Sequence, residues 1–153
     1  MNPIESILEN KPHKLYVAAP DDMVLEAVEA MCAAHIGSLL VMEGNVLCGI
    51  FCERDLMRRV VLAGRDPSHT RVQDVMTGEV VCIAPDVPVR DAMKLMTARR
   101  VRHLPVAERG RIIGLVSIGD LVRWTAEESV HAIEDGQHQL FELTEYVAGR
   151  YPG

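Results

Sequence analysis

The period of the apolar positions changes several times along the chain, and the same succession of periods occurs twice. Residues 15–19 make a short apolar run that ends at Ala19, Pro20 and Asp21. Val24, Ala27, Val28 and Met31 then fall at the spacing of one helix face. Two further apolar runs, 38–42 and 46–51, have the length of strands, and the link Glu43-Gly44-Asn45 between them suits a hairpin turn. A second helix is predicted from about Glu53. Further along, residues 80–83 end at Ala84, Pro85 and Asp86; Val89, Ala92, Met93 and Met96 repeat the helical spacing; the runs 104–107 and 111–116 flank Glu108-Arg109-Gly110; and a helix is predicted from about Ile118. Each Pro biases the residue before it toward extended backbone, and the Asp after it is expected to cap the helix that follows.

Sliding the chain by 65 positions places residues 19–58 on 84–123 without a gap, and 14 of those 40 positions are identical. The identities include Ala27/Ala92, Met31/Met96, Gly49/Gly114, Asp55/Asp120 and Leu56/Leu121. The repeated unit reads strand, helix, strand, strand, helix. Alone, it buries too little apolar surface to offset its chain entropy, so two copies are expected to cover each other. The prediction is an α+β fold of two β-α-β-β-α units about a pseudo-two-fold axis, with two equivalent clefts at the seam. Leu39, Leu104, Val41 and Val106 are assigned to the core, and the eight Met read as packing residues.

The units are expected at residues 7–63 and 78–124. Between them, 64–77 reads as a linker whose Val72, Val75 and Met76 form a short docking helix, with Ile4 to Leu8 as its counterpart in the first unit. Residues 125–153 form an acidic C-terminal helical extension, interrupted at Gly136, whose Val130, Ile133, Leu140, Phe141, Thr144 and Val147 must cover something.

Charge changes this picture in one respect. The chain of 153 residues carries a net charge of −6, but Glu127, Glu128, Glu134, Asp135, Glu142 and Glu145 lie beyond Thr125 with Arg150 as their one base, which leaves 16 acids against 15 bases elsewhere. A small anionic ligand therefore remains compatible with the body of the protein. Long nucleic acid does not: aromatics are 4% of the sequence and no basic stripe is interleaved with them. No apolar run approaches the roughly 20 residues of a membrane-spanning helix, and the first residues do not read as a secretory signal. Cys32, Cys48, Cys52 and Cys82 lack the spacing of a disulfide framework and are expected to be free, buried thiols, which points to the cytoplasm.

Candidate chemistry concentrates at "GLVSIGD", residues 114–120, and its repeat "GIFCERD", residues 49–55. Ser117 and Asp120 have the spacing of a capping box. In the first copy Cys52 stands where the hydroxyl would be while Asp55 is kept, which suggests that the carboxylate has a role of its own. A nucleophile elbow is excluded because Leu115 occupies a required glycine position. Phosphate-loop and dinucleotide glycine patterns are absent, and Cys48 with Cys52 has no matching Cys or His pair for a metal. No nucleophile, base and oxyanion set is visible, so an enzyme is not expected.

The duplicated "G-h-h-[ST]-x-x-D" ending, the strand "RHLPV" and the linker "DVMT" resemble the tandem CBS (cystathionine-β-synthase) domain pair, or Bateman module, over about residues 7–124. That resemblance implies a non-catalytic regulatory module whose clefts accept an adenosine-containing ligand such as AMP, ADP, ATP, NAD or S-adenosylmethionine, with no metal required. It implies that Asp120 acts with Ser117, Tyr16, Ile36, Gly37 and Ser38 in one cleft. In the other, Asp55 acts with Cys52, Thr77, Val101, Arg102 and His103. The chemistry agrees: an ionised Asp offers two acceptor oxygens to a ribose cis-diol, and a helix start beside it offers donors to phosphate. The Cys at position 52 makes the two clefts unequal, and Arg102 and His103 are positioned to meet phosphate charge. The resemblance also implies a homodimer, with an effector protein as a further partner. The rival from another class is a thiol-based redox or metal-responsive interaction module using Cys48, Cys52 and Cys82.

Overall fold

The computed structural model describes residues 2–11 and 14–132 of the chain. In the first copy, β1 (Val17–Ala18) pairs in parallel with β2 (Ser38–Glu43), and β2 pairs antiparallel with β3 (Val46–Cys52). Helix α2 (Val24–Ala34) runs between β1 and β2, and buries Val24, Ala27 and Met31. In the second copy, α4 (Val89–Arg99) precedes the antiparallel pair β4 (His103–Glu108) and β5 (Arg111–Ser117). The registers correspond throughout: Ser38 faces Cys52 as His103 faces Ser117, and a bulge follows Val41 as one follows Val106. This is the expected fold of two β-α-β-β-α units, and Leu39, Leu104, Val41 and Val106 are all buried.

The copies differ at their first strands. Leu40 N–H donates to Tyr16 O in the first copy, but the equivalent of Leu40 is Pro105, which has no N–H to give. The predicted strand 80–83 is therefore reduced to one parallel bridge, Ile83 to Val106, held by Ile83 N–H on Pro105 O (3.0 Å) and Ala107 N–H on Ile83 O (2.8 Å).

The two short docking segments correspond as expected, yet each serves the other copy. Helix α1 (Ile4–Glu9) buries Ile4 and Ile7 in the core of the second copy, with Val89, Ala92 and Leu104. A 3₁₀ turn at Val72–Asp74 buries Val72 and Val75 in the core of the first, with Val24, Leu39 and Phe51. These segments also take up the free N–H groups at the helix starts, so Asp21 and Asp86 do not cap: Val24 N–H donates to Thr70 O and Leu25 N–H to Pro67 O, while Val89 N–H donates to Asn2 O. The residues in the cap positions are Met23 and Pro88.

The final helix of each copy also differs. In the first, a single turn α3 (Glu53–Asp55) widens into a π-helix over Leu56–Val61. In the second, α5 (Ile118–Ala132) is α-helical and passes residue 125 without a break. The rest of the predicted extension, with Ile133, Gly136, Leu140, Phe141, Thr144 and Val147, lies outside the described residues. No helix among the described residues is long and apolar enough to cross a membrane.

Candidate functional site

Two cavities lie where the copies meet, and each is built from both. Asp120 and Asp55 follow the last strand of their unit by three residues, so the first helical turn carries each back over the strand end. Asp120 Oδ2 accepts from Ser117 N–H (2.8 Å), and Ser117 Oγ accepts from Asp120 N–H (3.1 Å). In the first copy Cys52 and Asp55 form a capping box of the same kind; Asp55 Oδ2 accepts from Cys52 N–H (3.0 Å) and from its thiol (3.2 Å). The thiol thus takes the hydroxyl's place, and loss of Ser at position 52 is not evidence that Asp55 was released from capping.

The first cavity, about 440 Å³, brings together Asp120 and Ser117 from the second copy with Tyr16, Ile36, Gly37 and Ser38 from the first. The second, about 530 Å³, brings together Asp55 and Cys52 from the first copy with Val101, Arg102 and His103 from the second, and Thr77 from the linker. Both volumes lie in the range of roughly 300–1,000 Å³ common for small-ligand sites. The wall residues sit where α2 and α4 turn into the next strand. His35 and Arg100 take the left-handed conformation there (φ 55° for both) and line the first and second cavity respectively. Gly37 and His103 line both cavities.

The carboxylates are held differently. Asp55 has both oxygens engaged: Oδ1 accepts from Thr77 Oγ1 (3.0 Å) and has Arg59 Nε at 3.8 Å. Arg59, on the π-helix, also donates to Met76 O (2.5 Å). Asp120 instead meets Lys11, whose Nζ donates to Asp120 Oδ2 (2.7 Å) and to Leu115 O (2.9 Å). Among the described residues no donor is directed at Asp120 Oδ1. Burial pushes the Asp120 carboxyl up, but the Lys11 ammonium and the Ser117 donors outweigh it and hold the group below its ordinary value. His103 is pushed down to about 4, chiefly by burial, with Asp120 pulling it up and Lys11 and Arg102 pushing it further down. At neutral pH it is an uncharged imidazole between the cavities.

Lys11, Lys14 and His35 line the first cavity and were not among the residues expected there. Lys11 and Lys14 lie before the repeated stretch, where no counterpart at 65 positions draws attention to them. The signal available was the docking role of Ile4 to Leu8, which delivers the residues just after it to the Asp of the other copy.

The thiols are free but not buried as expected: Cys32 and Cys82 are exposed, and Cys48 and Cys52 half-buried. Cys32 follows the buried Met31 and so falls on the outer face of α2. Burial, and then the Asp55 charge and hydrogen bond, push the Cys52 thiol up; partial desolvation raises Cys82 as well, although the residue is exposed. Both are thereby kept in the less reactive thiol form. Among the described residues no three His, Cys, Asp or Glu side chains gather as a metal site would need.

Comparison with known proteins matches a CBS domain family model to residues 10–62 and again to 72–127. The chain is 38% identical over 136 residues to the CBS domain-containing protein CBSX3, mitochondrial, of Arabidopsis thaliana, covering 86% of this chain and 63% of that protein's length. A protein with CBS domains from Burkholderia ambifaria has a solved structure that is 40% identical, with a TM-score of 0.80, covering 89% of this chain and 97% of that one. The fold also matches the CBS domain pair of protein MJ0100, solved in complex with 5′-methylthioadenosine and S-adenosyl-L-methionine, at 19% identity and a TM-score of 0.72, over 83% of this chain and 98% of that one.

Proposed function

The chain belongs to the CBS domain family, a family of regulatory modules, and from that premise we propose that it is a sensor that binds an adenosine-containing ligand in the Asp120 cavity without turning it over. The observation that carries this reading is the Asp120 carboxylate itself. It is ionised, it lines a cavity of ligand size, and Oδ1 stands unengaged among the described residues. A ribose cis-diol supplies the paired donors that such a group accepts. Tyr16 and Ile36 provide an apolar wall for a base, and Gly37 and Ser38 bring backbone close to it. The ligands named for the MJ0100 pair, both adenosine derivatives, support the same class here.

The Asp55 cavity, with Cys52, Thr77, Val101, Arg102 and His103, is a second and weaker site, because a ligand there must first displace the Thr77 hydroxyl from Asp55. Occupancy shifts conformation only by its differential affinity for two states, so the output is a change in the relation of the two copies or of two subunits. Met57 and Val61 on the π-helix and Leu62 just after it are 57%, 67% and 81% exposed, which supports pairing into a homodimer. Sedimentation of the full chain checks this: Leu62→Glu should yield monomer, and a monomeric parent would remove the dimer.

The ligand reading is tested by titration calorimetry with adenine nucleotides. Asp120→Ala should weaken binding at least tenfold, about 1.4 kcal/mol, and a 2′-deoxynucleotide should bind less well than its ribose parent. Unchanged affinity in both experiments would end the ribose role of Asp120.

A further inference from the structure

Lys11 and Thr77 play the same part for the two carboxylates, but one is charged and the other is not. Each comes from just after a docking segment and donates to the Asp of the cavity it lines. Thr77 gives Asp55 a neutral hydroxyl at 3.0 Å; Lys11 gives Asp120 an ammonium at 2.7 Å, with Leu115 O as its other acceptor. The Lys11 side chain is 34% exposed and that of Asp120 11%, so the pair stands at the boundary of the cavity and not in open solvent.

The surrounding charge is one-sided. Asp120 is the one carboxylate among the described residues lining this cavity, against Lys11 and Lys14, with His35 beside them. Lys14 is held near the wall, its Nζ 5.1 Å from the centre of the Tyr16 ring. The Asp55 cavity is mixed instead: Glu53 and Glu79 accompany Asp55, facing Arg54, Arg100 and Arg102.

A cis-diol brings two donors to Asp120. One finds Oδ1, and the other competes with Lys11 for Oδ2. Among the described residues a displaced ammonium keeps only Leu115 O in a half-buried place, and none of them then gives its charge a counter-ion. A ligand with an anion at its 5′ position restores one; a neutral thioether does not, and the sulfonium of S-adenosylmethionine puts a like charge there, with its carboxylate several bonds farther out. We infer that the Asp120 cavity selects adenosine ligands bearing a 5′-phosphate over neutral or sulfonium-bearing ones, and that Lys11 sets this selectivity by exchanging Asp120 for the phosphate. The inference rests on the adenosine reading of the cavity given above.

Titration calorimetry of the full chain with AMP, 5′-methylthioadenosine and S-adenosylmethionine tests it, with Asp120→Ala run in parallel to isolate the heat that belongs to this cavity. The parent should bind AMP at least about tenfold more tightly than 5′-methylthioadenosine, as expected for one charge-assisted contact, and S-adenosylmethionine least well. Lys11→Met, which keeps the apolar stem, should shrink the first gap to below about threefold without weakening 5′-methylthioadenosine, and Lys11→Arg should keep it. Binding of 5′-methylthioadenosine or S-adenosylmethionine as tight as AMP, lost in Asp120→Ala, would overturn the phosphate selectivity and leave the adenosine site standing. A gap that survives Lys11→Met would overturn the part given to Lys11. Binding of none of the three, or binding indifferent to Asp120→Ala, would sink the adenosine reading and this inference with it.

Discussion

Gly49 and Gly114 are equivalent in the repeat, yet replacing them with Ala should have unequal effects. A Cβ on Gly49 would stand 2.6 Å from the Thr77 carbonyl oxygen and 2.7 Å from Met76 Sδ. That carbonyl accepts from Ile50 N–H (2.9 Å), and Thr77 N–H returns a bond to Ile50 O (2.9 Å). Room for the methyl group is made only by lifting the Thr77 backbone, which breaks this bridge and draws the Thr77 hydroxyl off Asp55. Overpacking of this kind costs about 1–3 kcal/mol and a lost hydrogen bond about 1 kcal/mol, against a gain of roughly 0.4–1 kcal/mol from the stiffer unfolded chain. Gly49→Ala should therefore destabilise by about 1–3.5 kcal/mol. A Cβ on Gly114 meets Leu8 Cδ2 at 2.5 Å and Cδ1 at 3.0 Å, the far end of a side chain that can rotate, so the same gain leaves Gly114→Ala within about 1 kcal/mol of the parent. Urea unfolding of the two variants measures the difference. If Gly114→Ala proved as damaging as Gly49→Ala, the distinction between backbone and side-chain neighbours would be wrong.

His103 ties stability to pH. Its folded value of about 4 lies below its ordinary 6.5, so between these values the unfolded chain binds the extra proton; this contribution is complete above pH 6.5 and is lost as pH falls to 4, by about 3 kcal/mol in all. His103→Gln should flatten that part of the urea-derived stability profile, and an unchanged slope would refute the burial of a neutral imidazole. Asp120 does not confuse the window, since its group is held below 3.8 and acts at lower pH. Pro105→Leu restores the N–H that Leu40 has, so an amide at 105 protected from hydrogen exchange, with a stability gain of about 0.5–1.5 kcal/mol, should accompany a completed third strand. Rapid exchange at that amide would show that something other than the missing donor interrupts the strand.

What could be read from the sequence follows from where the repeat is preserved. Strand register, bulge position and buried residues recur at 65 positions because the same alternation of apolar residues fixes the same face inward in both copies, and one unit carries the information for two. The cross-copy composition of the cavities came from the family resemblance. The docking segments were visible as apolar patches, but their destination was not: Ile4 and Val72 are both buried, and nothing local says that each crosses to the other copy. The same crossing supplies the carbonyls that satisfy α2 and α4, so a capping rule applied to Asp21 and Asp86 missed a tertiary partner. Pro105 is the reverse case. Its lost donor is a local fact, and the interrupted strand could have been deduced from it.

These differences have a common location. The carboxylates and the hairpins that carry them are the same in both copies, while the group that reaches each carboxylate from outside the repeated stretch is not: Lys11 for Asp120, Thr77 for Asp55. The repeated part builds a cavity, and the segments outside it decide what balances the charge there. Asp55 is satisfied from within by a hydroxyl, its own capping residue and the nearby Arg59, so a ligand gains there only what it adds over existing bonds. Among the described residues Asp120 is balanced by one cation that has a single other acceptor, and a ligand able to engage both partners replaces one ion pair with two sets of contacts. On the sensor reading, that imbalance makes the Asp120 cavity the one whose occupancy changes the contacts between the N-terminal segment and the second copy, because Lys11 follows the helix whose Leu8 lies over Gly114.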